Sequence, residues 1–131
     1  MNRYLIIIAA TFLILSCRSN STNSGQSDSS VIDGLVLQGP ISPVQRQGET
    51  NEAPLAGAPI TIVNTGTYDA PFHLTSDANG HFSATVSPGT YAITPNSFPG
   101  QQLPRPMDPK AVTVPANSVV YDTLHYDTGI R

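Results

Sequence analysis

The chain has 131 residues, a net charge of −3, one cysteine, no tryptophan, 12 prolines and 10 glycines. That length fits one domain, and a single cysteine excludes an internal disulfide. Six scattered basic residues with no run among them exclude a nucleic-acid footprint.

Arg3 is the one charge in Met1–Tyr4, and Leu5–Leu15 is an eleven-residue apolar segment followed by Ser16 and Cys17. Residues 1–16 therefore read as a signal peptide, too short for a spanning helix. Ile14-Leu15-Ser16-Cys17 resembles the bacterial lipobox, in which a small residue precedes a cysteine that becomes the acylated first residue of the mature protein. The alternatives are an ordinary secretory signal with an incidental cysteine, or an uncleaved anchor. The resemblance implies a covalent diacylglycerol and fatty acid on Cys17, and no other cofactor is expected. At about 0.8 kcal/mol per buried CH₂, one chain binds a bilayer marginally, whereas two or three hold it firmly. Gram-negative lipoproteins kept at the inner membrane carry aspartate after the cysteine. Arg18 stands there in this chain, which favours the outer membrane of the cell envelope where the organism has one.

Arg18–Ser30, RSNSTNSGQSDSS, is nearly all Ser, Asn, Thr, Gly and Gln, too polar to bury surface against the entropy of ordering. Residues 17–30 thus read as an acylated cysteine and a flexible tether, which as random coil spans about 20 Å. A glycosylated or partner-bound segment is the other reading.

The domain is expected over residues 31–131. Val31–Gln38 reads as a first strand with Gly34 inside it. Residues 39–57, with Pro40, Pro43 and Pro54, read as a long loop. Residues 58–64 alternate through Ile60 and Ile62 as a second strand. Residues 72–94 carry two turn signals cut into an alternating pattern. A three-residue hairpin loop, with Gly80 in the left-handed region and Asp77 opposite His81, places Phe72, Leu74, Phe82, Ala84 and Val86 on one face. Ser87-Pro88-Gly89-Thr90 has the type II signature, Pro88 at the first central position and Gly89 at the second. Such a turn suits tight hairpins poorly, so this corner can carry the chain to a second sheet, after which Tyr91 and Ile93 point inward.

Residues 96–110 form a second long loop, and strands follow over 111–115 and 118–126 with Ala116-Asn117 at the turn between them. In the last strand Leu124 and Tyr126 are expected inward, sharing a face with Asp122, which then either faces inward near an edge or is displaced by a bulge. No segment after residue 16 shows the i, i+3, i+4 apolar spacing of an amphipathic helix. The expected fold is all-β, an about seven-stranded two-sheet sandwich.

The chain resembles a carboxypeptidase regulatory-like domain, the transthyretin- or prealbumin-like sandwich of bacterial surface proteins. The resemblance lies in Gly57-Ala58-Pro59-Ile60-Thr61-Ile62, residues 75–82 (TSDANGHF), residues 87–93 (SPGTYAI) and Val112-Thr113-Val114. More narrowly it is similar to bacterial lipoproteins with a GPxCPV loop and a YDTGIR or YDSGIR ending, here residues 39–44 and 126–131. Those relatives have cysteine where this chain has Ser42, and tend to a second near Asn51, so a staple across the first loop is absent. Related adhesin domains can carry a Lys to Asn or Asp isopeptide bond. Lys110, the only lysine, lies before a late strand, and no such bond is expected.

Candidate chemistry is sparse. The hairpin register separates His73 from His81 by about 13 Å along the sheet, too far for one zinc ion with ligands at about 2 Å. Both read as solvent-facing strand residues. The glycine of Asp77-Ala78-Asn79-Gly80 comes too early for a calcium loop, and no nucleophile elbow marks a serine. No enzyme is expected.

Binding, if any, falls to the two loops: Gln45, Arg46 and Gln47 in the first, with Phe98, Gln101, Gln102, Arg105 and Met107 in the second. The alternative is that these are Pro-rich covers over sheet edges. Gly80, Pro88, Gly89, Asp127, Gly129, Ile130 and Arg131 read as structural. Ile130 would close the sandwich base, and Arg131 would pair with Glu49, Glu52 or Asp127; the other reading of this segment is a recognition tag. The expected function is a non-catalytic, lipid-anchored structural or protein-interaction module of the envelope. A carbohydrate- or peptide-binding module is the alternative. The partners are the membrane through the lipid and an envelope protein or glycan, with no nucleic acid.

Overall fold

The computed structural model describes residues 28–131; the expected signal peptide, Cys17 and all but the last three residues of the tether lie outside them. The strands are β1 (Ser30–Gly39), β2 (Ala53–Pro54), β3 (Pro59–Asn64), β4 (Phe72–Thr75), β5 (His81–Val86), β6 (Gly89–Pro95), β7 (Arg105–Pro106), β8 (Lys110–Val114) and β9 (Val119–Asp127). One sheet runs β2-β1-β9-β7 with β5 also on β1, and the other runs β4-β3-β6-β8. The result is an all-β sandwich whose seven longer strands are the expected ones and whose two short ones lie inside the long loops.

Alternation explains the core. On β1, Ser30, Ile32, Gly34 and Val36 are buried while the residues between them are half-buried. Ile60, Ile62, Tyr91, Ile93 and Val114 face them from the second sheet, so each strand contributes one side of its pleat. Leu124 and Tyr126 are buried as expected. Asp122 does face inward, near the part of β9 that β7 does not reach. Lys110, on the inward parity of β8, crosses from the other sheet and donates to Asp122 Oδ1 at 3.1 Å and to the Thr123 carbonyl at 2.6 Å.

The buried serines and Tyr91 are tied to the backbone, whereas Asp122 Oδ2 is buried without a hydrogen-bond partner. Ser30 Oγ donates to the Pro115 carbonyl at 2.5 Å and accepts from Ser118 N at 3.1 Å, which fastens the β8–β9 corner to the start of β1. Ser76 Oγ donates to the Leu55 carbonyl and accepts from Ala58 N, at 2.5 and 2.9 Å. Tyr91 donates to the carbonyl of Ser87 four residues upstream at 2.7 Å, the tie of a tyrosine corner.

The Asp77–His81 turn forms locally as expected, but the hairpin does not. Asp77 N donates to the His81 carbonyl at 2.8 Å, Asp77 Oδ1 accepts from Asn79 N and His81 N, and Gly80 has φ of +79°. The flanking strands then diverge: β4 pairs with β3 and β5 pairs with β1. His73 therefore sits opposite Thr61, not Thr85, and His81 opposite Leu35. Phe72, expected inward with Phe82, is 42% exposed on the edge strand, because the partner assumed for it lies in the other sheet. The Ser87–Thr90 corner does change sheets, though Gly89 opens β6 with φ of 158° in place of the φ near about +80° of a type II turn.

Gly34 is the tightest point in the core. A methyl group there would lie 2.2 Å from Phe82 Cζ and 2.8 Å from the Asp122 carbonyl oxygen. Gly34→Ala should cost about 1–3 kcal/mol by overpacking, read as a lower urea midpoint at unchanged slope. Gly66→Ala, whose methyl meets only Asn64 Oδ1 at 3.5 Å, should stay within about 0.5 kcal/mol of the parent. Equal midpoints for the two variants would mean that the Phe82 ring is not held against β1.

Candidate functional site

Both long loops and the segment after β9 meet at one end of the sandwich. Parallel pairing ends at Gly39 and Asp127, so the chain leaves β1 and β9 side by side. Thr128 N donates to the Gly39 carbonyl at 3.1 Å, and Thr128 Oγ1 donates to the Pro40 carbonyl. Gly129 packs beside Leu103 of the second loop, where a methyl group would come within 3.0 Å of a leucine carbon. Its φ of +78° is left-handed, which glycine adopts without penalty.

Each loop also supplies one of the short strands. Ala53–Pro54 pairs with Leu37–Gln38, and Arg105–Pro106 pairs with Tyr126–Asp127. The proline in each removes a donor from an edge, so the loops do cover strand edges. The residues between the covers remain available for contact.

The first loop is closed by a side chain that sequence reasoning assigned no role. Asn51 Oδ1 accepts from Ile41 N at 3.0 Å and Ser42 N at 2.9 Å, and Asn51 Nδ2 donates to the Ser42 carbonyl at 3.0 Å. Ile41 N also donates to the Asn51 carbonyl at 3.1 Å. Hydrogen bonds therefore join Ser42 to Asn51 across the loop. The only signal for it is the known habit of asparagine side chains to bond nearby backbone. Glu52 Oε1 lies 3.3 Å from His125 Nδ1, which links the same loop to β9.

This loop bounds an open cleft of about 490 Å³, lined by Gly39, Pro40, Gln45 and residues 49–52. Arg46 lines a smaller hollow of about 90 Å³ beside Ile41 and Val44. Gln45, Arg46, Gln47, Gln101, Gln102, Arg105 and Met107 are exposed, so they are available as candidates. Phe98 is not: it is half-buried against the core, its ring centroid 6.0 Å from that of Tyr126 at 56°. A residue expected in the binding loop instead caps the sandwich. Ile130 is half-buried and outside the core cluster, so Phe98 and Tyr126 close this end in its place. The Tyr126 hydroxyl lies 2.8 Å from the Asn96 carbonyl and 3.1 Å from that of Pro59, and burial pushes the phenol up to about 12.

Of the three partners open to Arg131, the structure selects Asp127. Arg131 donates through both terminal nitrogens, at 3.1 and 2.9 Å, to the two carboxylate oxygens, a bidentate pair. Arg131 and the Gly129 amide together hold the Asp127 carboxyl down to about 2. The polar groups this end exposes are thus amides, guanidinium groups and carboxylates. No group of three or more His, Cys, Asp or Glu side chains able to hold a metal ion occurs among the described residues.

No protein-family model matches the chain, and no curated protein matches it. Among solved structures, the fold is similar to that of GBS52, the minor pilin of Streptococcus agalactiae, with TM-score 0.56 and 20% identity over 76% of this chain and 44% of that one. It is also similar to the Bacillus anthracis TIE protein, with TM-score 0.54 and 14% identity over 76% of this chain and 16% of that one. A DUF3823 family protein from Parabacteroides merdae aligns with TM-score 0.48 and 20% identity over 75% of this chain and 45% of that one. The chain spans less than half the length of each. At these identities the likeness is one of fold alone, an all-β sandwich.

Two expected outcomes test the geometry of this end. Asn51→Ala removes the three side-chain bonds, so the Ile41 and Ser42 amides should exchange at least several-fold faster, while global stability falls by no more than about 1–2 kcal/mol. Unchanged exchange would mean that the loop is held from elsewhere. Asp127 has a folded pKa below its ordinary value of 3.8, so its contribution is complete above about pH 4 and is lost as pH falls towards about 2. An acid titration followed at the Gly129 amide should show this transition, and Asp127→Asn should abolish it.

Proposed function

We propose that the protein is a non-catalytic, lipid-anchored module of the bacterial envelope that presents its loop end to a protein partner. The observation that carries this reading is the direction of β1. The tether joins the domain at Ser30, and β1 runs from there to Gly39, where both loops and the last segment converge. Ten residues at about 3.3 Å each put the loop end roughly 30 Å beyond the point of attachment. A lipid on Cys17 would thus hold the Ser30 end towards the bilayer and carry the cleft and the exposed loop side chains outward. The pilin fold likeness supports a surface role, since the minor pilin it resembles belongs to a Gram-positive pathogen's pilus proteins. Arg18 after the cysteine supports the outer membrane where the cell has one.

The second reading, a glycan or peptide held in the loops, is favoured by the cleft of about 490 Å³ and its polar lining, since that size falls within the usual range for small-ligand sites.

Palmitate labelling of the full chain should be lost in Cys17→Ser; equal label on the variant would remove the anchor. Photo-crosslinking in cells from positions 45 and 101 should give a discrete protein adduct that position 67 does not give. Adducts equal at all three positions would overturn the loop end as the contact surface. Glycan retention that disappears on Arg46→Ala or Arg105→Ala would replace the first reading by the second.

A further inference from the structure

The outer face of the larger sheet carries a second concave site, on the side wall of the domain and separate from the loops. Register places Asp33 on β1 between Ser83 on β5 and Tyr121 on β9, and places Leu35 between His81 and Thr123. These residues have the parity opposite to the buried Ile32, Val36, Phe82 and Leu124, so their side chains leave the sheet on its outer face. Asp33, Leu35, His81, Tyr121 and Thr123, with Gly34 and Asp122 between them, line a cavity of about 170 Å³. Tyr121 is 74% exposed, an aromatic ring that the core does not use. Asp122 and Asp127 are each in an ion pair, and Glu52 lies against His125; Asp33 is outside these contacts.

We propose that this dish is a binding subsite for a single pyranose ring, free or at the end of a glycan. The volume lies below the roughly 300–1,000 Å³ of sites for larger ligands, which leaves room for one small ring and no peptide. The ligand must be amphipathic. Leu35 offers an apolar floor and Tyr121 an aromatic wall that combines an apolar face with a hydroxyl. The rim offers a carboxylate acceptor at Asp33, a hydroxyl at Thr123 that both donates and accepts, and an imidazole at His81 with one nitrogen of each kind. A pyranose presents that pattern in mirror form, with C–H groups on its faces and hydroxyls around its edge. Asp33 and the Lys110-paired Asp122 both line the dish, with no lysine or arginine among the lining residues, and this disfavours anionic ligands. One ring on an open dish binds weakly, with a dissociation constant on the order of millimolar, so physiological affinity would come from several rings or several copies.

The test is saturation-transfer difference NMR on the full chain with the methyl glycosides of glucose, galactose, mannose and N-acetylglucosamine. At least one should receive saturation, strongest at its ring C–H protons. Tyr121→Ala and Asp33→Asn should each cut the signal at least about five-fold at unchanged circular dichroism, and Gln45→Ala in the loop cleft should leave it intact. The proposal is overturned if no glycoside is saturated, or if the signal survives Tyr121→Ala. It is equally overturned if the signal falls only with Gln45→Ala, which would move glycan binding to the loops, or if the dish takes up methylguanidinium and no sugar. The loop-end reading stands or falls separately, on the crosslinks from positions 45 and 101.

Discussion

Parallel pairing of β1 with β9 sets strands eighty-eight residues apart side by side over nine successive positions, from Val31 and Val119 to Gly39 and Asp127. Parallel neighbours cannot be joined by a tight turn. Here the rest of the described domain serves as the crossover: the chain leaves β1, builds the second sheet and β5, and returns. Loop-closure entropy must be met before this ladder gains anything, so its formation is coupled to the whole sandwich and should come late in folding. Both ends of the ladder are fastened accordingly. Ser30 holds the corner before β9 at one end, and Thr128 holds the exit from β1 at the other.

That ladder also decides where the loops gather. Because β1 and β9 are parallel, their C-terminal ends share one end of the sandwich, and everything that follows them is gathered there. An antiparallel arrangement would have sent the segment after β9 to the Ser30 end, away from the first loop. Meeting of the first loop, the second loop and residues 127–131 is thus a consequence of strand direction, and the cleft lies where the chain has no regular partner left to pair with. The dish on the side wall depends on the same ladder, since Asp33 and Tyr121 are neighbours only in its register.

Much of this was legible in the sequence, and the gaps have definable causes. Alternation identified the seven longer strands and the inward Tyr91, Ile93, Leu124 and Tyr126; turn chemistry raised the change of sheet at Pro88 as one option. It could not show the β1–β9 pairing, because inward parity is the same for parallel and antiparallel neighbours. The Asp77–His81 turn was legible for a local reason: Asp77 Oδ1 satisfies two backbone amides inside it. For that same reason the turn is indifferent to where its flanking strands go, and the hairpin inferred from it was wrong. At the loop end, exposure of Gln45, Arg46, Gln47, Gln101, Arg105 and Met107 followed from polarity and proline content. The roles of Asn51 and Thr128 did not, since each depends on bringing distant backbone groups within hydrogen-bond reach. Phe98 was misplaced because an apolar residue in a loop looks the same whether it waits for a partner or covers Tyr126.

The manner in which the loop end is held bears on how it would recognise anything. Its backbone is fixed by the Asn51 bonds, by Thr128 against Gly39 and Pro40, and by Asp127 with Arg131, so contact with a partner would not have to order the main chain. The side chains are a different matter. Gln45, Arg46, Gln47 and Gln101 stand exposed, and immobilising each costs about 0.5–1.5 kcal/mol. A partner that relied on these long side chains alone would return much of its contact energy as lost freedom. The backbone-framed cleft between Pro40 and residues 49–52, already shaped before contact, offers the more favourable purchase. In the proposed function, recognition would therefore be governed by the shape of the first loop, with the arginine and glutamine side chains adjusting specificity around it.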